Sequence, residues 1–167
     1  MVLMNVTAGM ILSMFTQATQ VTSGSDYVYN ADIEQGRVTT LYVYHCTEGE
    51  AMPLEKQSMS TYRYDEQDRL TEKTTYRWDA DEMKWVPVKQ LTFAYGDMLV
   101  QVDYARWNGD TRRFDAPEKR TEYMGFDDML LGVRMYQLDG KDGREHLIDS
   151  YMMMHSDLKN LLAGLYL

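Results

Sequence analysis

A chain of 167 residues with 44% hydrophobic and 26% charged residues is one domain's worth of ordinary globular sequence, long enough to bury a core without disulfides or metal and too apolar for a disordered chain. Its formal net charge of −9 and pI near 4.7 repel phosphate backbones and anionic lipid surfaces, which argues against nucleic acid as a partner. With a single cysteine, Cys46, neither an intrachain disulfide nor a CxxC metal or redox site can form.

No Asp, Glu, Lys or Arg occurs before Asp26, although the chain holds 26 acidic and 17 basic residues. Within this uncharged stretch, Val6 to Phe15 has the length of a secretory h-region and is too short to span a bilayer. Thr16-Gln17-Ala18 is small at its first and third positions, which suits signal peptidase cleavage after Ala18. The expectation is a leader and flexible start over residues 1–25 and a single all-β domain over 26–167, with no transmembrane span and a periplasmic, cell-surface or secreted location. Met1 to Asn5 lacks the Lys or Arg with which a leader normally opens, so a structural first strand or helix of the folded domain is the rival reading.

Beyond Asp26 the pattern is that of strands. Thirteen Tyr against four Phe favours half-buried pleated surfaces, where the ring packs and the hydroxyl stays wet. Period-2 alternation predicts strands over 26–33, 37–46, 57–65, 69–79, 84–95, 98–107, 118–126, 129–138 and 145–154. Leu70, Glu72, Thr74, Tyr76 and Trp78 read as one face, as do Ser58, Ser60, Tyr62 and Tyr64, and as do Met98, Val100, Val102 and Tyr104. Gln35-Gly36, Glu66-Gln67-Asp68, Gly96-Asp97 and Asp127-Asp128 fall between strands as turns, with Gly96-Asp97 suited to a two-residue hairpin. Asn108-Gly109 and Asp139-Gly140 mark the opposite reversals. Ser156-Asp157 reads as a cap for a short C-terminal helix through Leu158, Leu161 and Leu162, stopped by Gly164.

A longer period underlies the strands. Val38, Leu70, Leu99 and Leu130 recur at steps of 32, 29 and 31 residues, each with Tyr five or six positions later, namely Tyr44, Tyr76, Tyr104 and Tyr136. Tyr64, Tyr95 and Phe126 precede the later anchors across the turns. The expected architecture is an antiparallel meander of about eight or nine strands from about four hairpin repeats. A sheet of that length must curl into a barrel, fold into a sandwich, or pair with a second copy through its edge or face. The curled, barrel-like form is the expectation.

The segment Tyr62-Arg63-Tyr64-Asp65-Glu66-Gln67-Asp68-Arg69-Leu70-Thr71 resembles the YD repeat of Rhs-type wall and toxin proteins: a Tyr-Asp pair, two variable residues, Gly, Arg and Leu, with Asp68 here in the place of the Gly. Gln35-Gly36-Arg37-Val38-Thr39 keeps the second half of that pattern. The whole chain is similar to an uncharacterised family of small exported proteins from Bacteroidetes. The resemblance implies an extended β-sheet surface and carries over no catalytic residue.

Reactive chemistry finds little support. His45, His146 and His155 share no metal-ligand spacing, and no GxSxG elbow, phosphate loop or dinucleotide fingerprint occurs. His45 and Cys46 are strand neighbours that point apart, so neither activates the other. Asp79-Ala80-Asp81-Glu82 and the Asp139–Gly143 segment space carboxylates as turns do, without the ligand series of a calcium loop. No cofactor is expected. The candidate binding residues are the aromatics Trp78, Trp85, Trp107, Tyr76 and Tyr104, whose rings either form the core between units or stack on a sugar or protein partner. The function reading is a noncatalytic protein of the cell envelope or exterior that engages a glycan or an envelope protein. The alternative is a carboxylate-dependent hydrolase, which needs two carboxylates about 5 to 10 Å apart in a cleft.

Overall fold

The computed structural model describes residues 5–20, 26–46, 54–125, 130–140 and 142–154. One helix, α1 (Ala8–Gln20), precedes ten strands: β1 (Tyr27–Glu34), β2 (Arg37–Cys46), β3 (Leu54–Tyr64), β4 (Leu70–Asp79), β5 (Lys84–Tyr95), β6 (Leu99–Asn108), β7 (Arg113–Phe114), β8 (Lys119–Gly125), β9 (Leu130–Leu138) and β10 (Glu145–Met154). The nine predicted strands are all present. The two-residue β7, which pairs with the end of β6, is the addition. Strand order follows chain order from β1 to β10, with β7 off the path and β8 beside β6.

Two expectations are corrected. The strand order is an open path and not a closed ring, so the sheet is a meander without barrel closure. The described helix stands near the N-terminus, and the helix expected around Ser156–Gly164 lies outside the described residues. No helix among the described residues is long and apolar enough to cross a membrane.

The chain divides into two compact units, one over Val6–Val88 and one beginning at Lys89. In the first, Thr7 starts the helix: its hydroxyl receives the Met10 amide at 3.4 Å and its carbonyl the Ile11 amide at 3.2 Å. Helix α1 packs on β1 and β2, where Ile11, Val38 and Leu41 are no more than 1% exposed. Val38 and Leu41 are three residues apart and would point to opposite faces of a regular strand. They share a face because Asp32 pairs with Thr40 while Ile33 pairs with Val38, leaving Thr39 as a bulge. The same device recurs at Thr71, since Arg63 pairs with Glu72 and Tyr64 with Leu70. Leu70 therefore turns to the α1 face, away from Glu72, Thr74, Tyr76 and Trp78, with which the alternation had grouped it.

The second unit builds its core from residues in register: Phe93 opposite Val102, and Val100, Tyr123 and Val133 in one row across β6, β8 and β9. All five are at most 7% exposed. Leu99, expected as a buried anchor, is only half-buried, and its neighbour Val100 takes the core position at 2% exposure. The cause is a missing bulge. In the first two hairpins a surplus Thr re-aims Val38 and Leu70 into the core, whereas β5 and β6 pair without a register shift, so Leu99 stays on the face opposite Val100 and Val102. The Gly96 amide donates to the Leu99 carbonyl at 2.8 Å, so the chain reverses through Asp97 and Met98, one residue later than the Gly96-Asp97 turn expected.

Candidate functional site

On β2 the side chains alternate, so with Leu41 and Val43 turned toward α1, Tyr42 and Tyr44 lie on the other face. Their rings stack at 6.5 Å between centroids, 27° apart. Across the sheet Tyr42 stands in one row with Met59 of β3 and Tyr76 of β4. Two positions beyond Tyr76 lies Trp78, and a tight turn brings the chain back to Trp85. Asp79 holds that turn by receiving the amides of Asp81 and Glu82 on Oδ1 at 3.1 and 3.0 Å, and Met83 takes a positive φ of 49°. Trp78 and Trp85 meet edge to face at 5.1 Å, and Trp85 lies 6.4 Å from Tyr42. Trp85 is the second residue of β5.

One cation joins the cluster. Lys56 Nζ stands 3.7 Å from the centre of a Trp78 ring. It reaches that face because Val43 pairs with Ser58 while Tyr44 pairs with Lys56, so that Gln57 is a third bulge and turns Lys56 to the side of Tyr44. At the rim, the Tyr42 hydroxyl donates to Asp32 Oδ2 at 3.0 Å. Burial, then the hydrogen bond to Asp32 and its charge, raises the Tyr42 pKa above the ordinary phenol value. All five rings, Tyr42, Tyr44, Tyr76, Trp78 and Trp85, are half-buried, which leaves ring surface open to solvent.

The sequence-predicted aromatics therefore do not form one site. Trp78, Trp85 and Tyr76 come together in the first unit, while Trp107 and Tyr104 lie on β6 in the second. Trp107 packs edge to face on Phe114 at 5.1 Å, holding the short β7 to β6. Tyr104 is three residues away on a regular strand and points to the opposite face. Sequence reasoning missed Tyr42 and Lys56 as members of the cluster and read Tyr44 only as a repeat anchor. The spacing of Tyr42 and Tyr44 on a predicted strand signals a shared face, whereas nothing in the residue order announces the bulge that recruits Lys56.

In the same unit, a hollow of about 510 Å³ lies between the β1–β2 turn and Tyr62, Arg63 and Tyr64 of β3. Glu34 is its one carboxylate, so it holds no carboxylate pair. Arg37, also lining it, forms an ion pair with Asp68. The Tyr64 hydroxyl donates to the Val38 carbonyl at 2.8 Å.

Comparison with known proteins gives fold and family. Three solved structures share the fold. A protein of unknown function from Bacteroides fragilis is 21% identical with a TM-score of 0.68, over 78% of this chain and 94% of its own. A DUF3836 family protein from Bacteroides vulgatus is 22% identical with a TM-score of 0.54, over 59% and 98%. One from Parabacteroides distasonis is 19% identical with a TM-score of 0.51, over 83% and 98%. No curated protein matches. The model of a family of unknown function, DUF3836, matches residues 1–125, and the chain accordingly belongs to that family.

Proposed function

We propose that this chain is a noncatalytic exported protein of the cell envelope or exterior that binds a glycan or a protein through the aromatic face of its first unit. The observation that carries the reading is the half-buried cluster of Tyr42, Tyr44, Trp78 and Trp85 on the face opposite helix α1. Packing on the other face already supplies the core, and large rings left partly in water are what stacking on sugar faces or anchoring a partner requires. Export rests on the uncharged, leader-like composition of residues 1–25. Descent from YD-like hairpins is supported by the first two, in which Arg37-Val38-Thr39 and Arg69-Leu70-Thr71 place the same bulge. In both, the Thr hydroxyl donates to the facing strand: Thr39 to the Asp32 carbonyl at 3.3 Å and Thr71 to that of Arg63 at 3.2 Å.

The test is a tryptophan-fluorescence titration with soluble glycans and with fractionated envelope proteins. Binding should weaken at least tenfold, or about 1.4 kcal/mol, in Trp85→Ala and Tyr44→Ala and persist in Trp107→Phe. Titrations that stay blank at high protein concentration, or equal binding by all variants, would remove the reading.

A further inference from the structure

The uncharged segment that reads as a leader is seated in the fold like a guest. Just before the helix, Thr7 forms an isolated antiparallel bridge with Arg69 beside the turn before β4: the Leu70 amide donates to the Val6 carbonyl and the Ala8 amide to the Asp68 carbonyl, both at 2.8 Å. The chain then becomes helical and crosses β1 and β2. Val6, Ala8 and Ile11 are 3%, 4% and 1% exposed, and beneath the segment Val38, Leu41 and Leu70 are sealed from water. Gly9, Ser13, Thr16 and Gln17 face outward. If processing removes this segment, the first unit loses the cover of its apolar face. The bonds from the Leu70 amide to Val6 and from the Ala8 amide to the Asp68 carbonyl go with it.

We infer that this face of the processed protein is a docking seat for an uncharged apolar segment of another polypeptide. The partner segment is extended where it pairs with Arg69–Leu70 and helical where it crosses β1 and β2. The paired donor and acceptor select a peptide over a lipid chain or a sugar, because a polypeptide backbone satisfies both at once in ladder register. The floor of Val38, Leu41 and Leu70 selects against charge, since a charged side chain at the Ile11 position, 1% exposed, would lose its hydration. The emptying of the seat rests on the export reading above, whereas the seat itself does not.

The test uses the full chain with a specific protease site placed within residues 21–25, folded first and then cut. The released N-terminal piece is washed away, and a fluorescent synthetic peptide of residues 5–20 is added. The cut protein should keep its β-sheet circular dichroism and take up one peptide per chain. The uncut chain and an Ile11→Asp peptide should each bind at least tenfold more weakly. Loss of the sheet on release, no uptake by the cut protein, or equal uptake by the uncut chain would overturn the inference. Sequencing the N-terminus of protein recovered from its host separates the two ideas: an intact Met1 ends export by cleavage, while specific peptide uptake still stands for the seat.

Discussion

Asp65 holds the turn between β3 and β4 from several directions. Its Oδ1 receives the amides of Gln67 and Arg69 at 2.9 Å each, and its Oδ2 receives the Arg69 guanidinium at 2.7 Å. Burial pulls the carboxyl pKa upward, but the Arg69 and Gln67 hydrogen bonds and the Arg69 charge outweigh it and hold the group below its ordinary value. A depressed pKa contributes stability that is present above the unfolded value, about 3.9, and is lost as pH falls through the folded one. Urea midpoints measured downward from pH 5 should therefore fall less steeply in Asp65→Asn than in the parent. At the other end of the scale, burial raises the phenol of Tyr123 to about 12, with Tyr151 adding to it, and raises those of Tyr62 and Tyr64 further. A raised pKa contributes stability that is intact below about 10 and is lost as pH climbs through the folded value. Absorbance at 295 nm should show these phenols ionising only with alkaline unfolding, and Tyr123→Phe should unfold at higher pH. Leu70, fully buried, should cost about 2 to 5 kcal/mol on truncation to Ala. Thr71→Ala should cost about 1 kcal/mol through its bond to the Arg63 carbonyl, and chemical denaturation compares the two. Val100→Ala should destabilise more than Leu99→Ala, although it removes fewer atoms. Val38 and Leu70 were legible as anchors because each follows an Arg at the end of a turn. Leu99 was misread because the repeat spacing aligns it with Val38 and Leu70, whose bulges its hairpin lacks, and the strand's own even-numbered apolar face carried the right answer.

Among the elements, strands were the legible part, since period-2 patterning and turn residues bound each of them closely. Bulges were not, because a bulge is one surplus residue among others of the same kind and is defined by its partner strand. Thr39, Gln57 and Thr71 each re-aim a neighbour: Val38 and Leu70 into the core, Lys56 onto Trp78. Deleting a strand residue normally turns every side chain beyond it to the wrong face. Deleting Gln57 should not do so, because a regular strand running from Ser58 to Lys56 still places Lys56 opposite Tyr44. The near-ultraviolet circular dichroism of the Trp78–Trp85 pair should survive in that variant, and its loss would mean that the bulge has another role. The residues of helix α1 carry a leader-like composition and also pack, because a run without charge suits a translocation channel and an apolar sheet face equally.

For the molecule as a whole, the last strand differs in kind from the rest. Nine of the ten residues of β10 are exposed, among them Leu147 and Ile148 at 57% each, so neither of its faces is part of a core among the described residues. Ile148 is the surplus residue of a further bulge, and Ile148→Lys should change stability by no more than about 0.5 kcal/mol in chemical denaturation. Amide exchange should be faster along β10 than along β9, which pairs on both sides. The Trp78–Trp85 pair has a use unrelated to ligands. Trp78 and Trp85 belong to the unit ending at Val88, and Trp107 to the one beginning at Lys89. Each unit thus carries its own fluorophore: a Trp107→Phe chain emits from the first alone, and a chain with Trp78→Phe and Trp85→Phe from the second alone. Because β5 runs unbroken from Lys84 to Tyr95 and serves both, their melting curves should superimpose; two separate midpoints would make this chain a pair of independent folding units that share a strand.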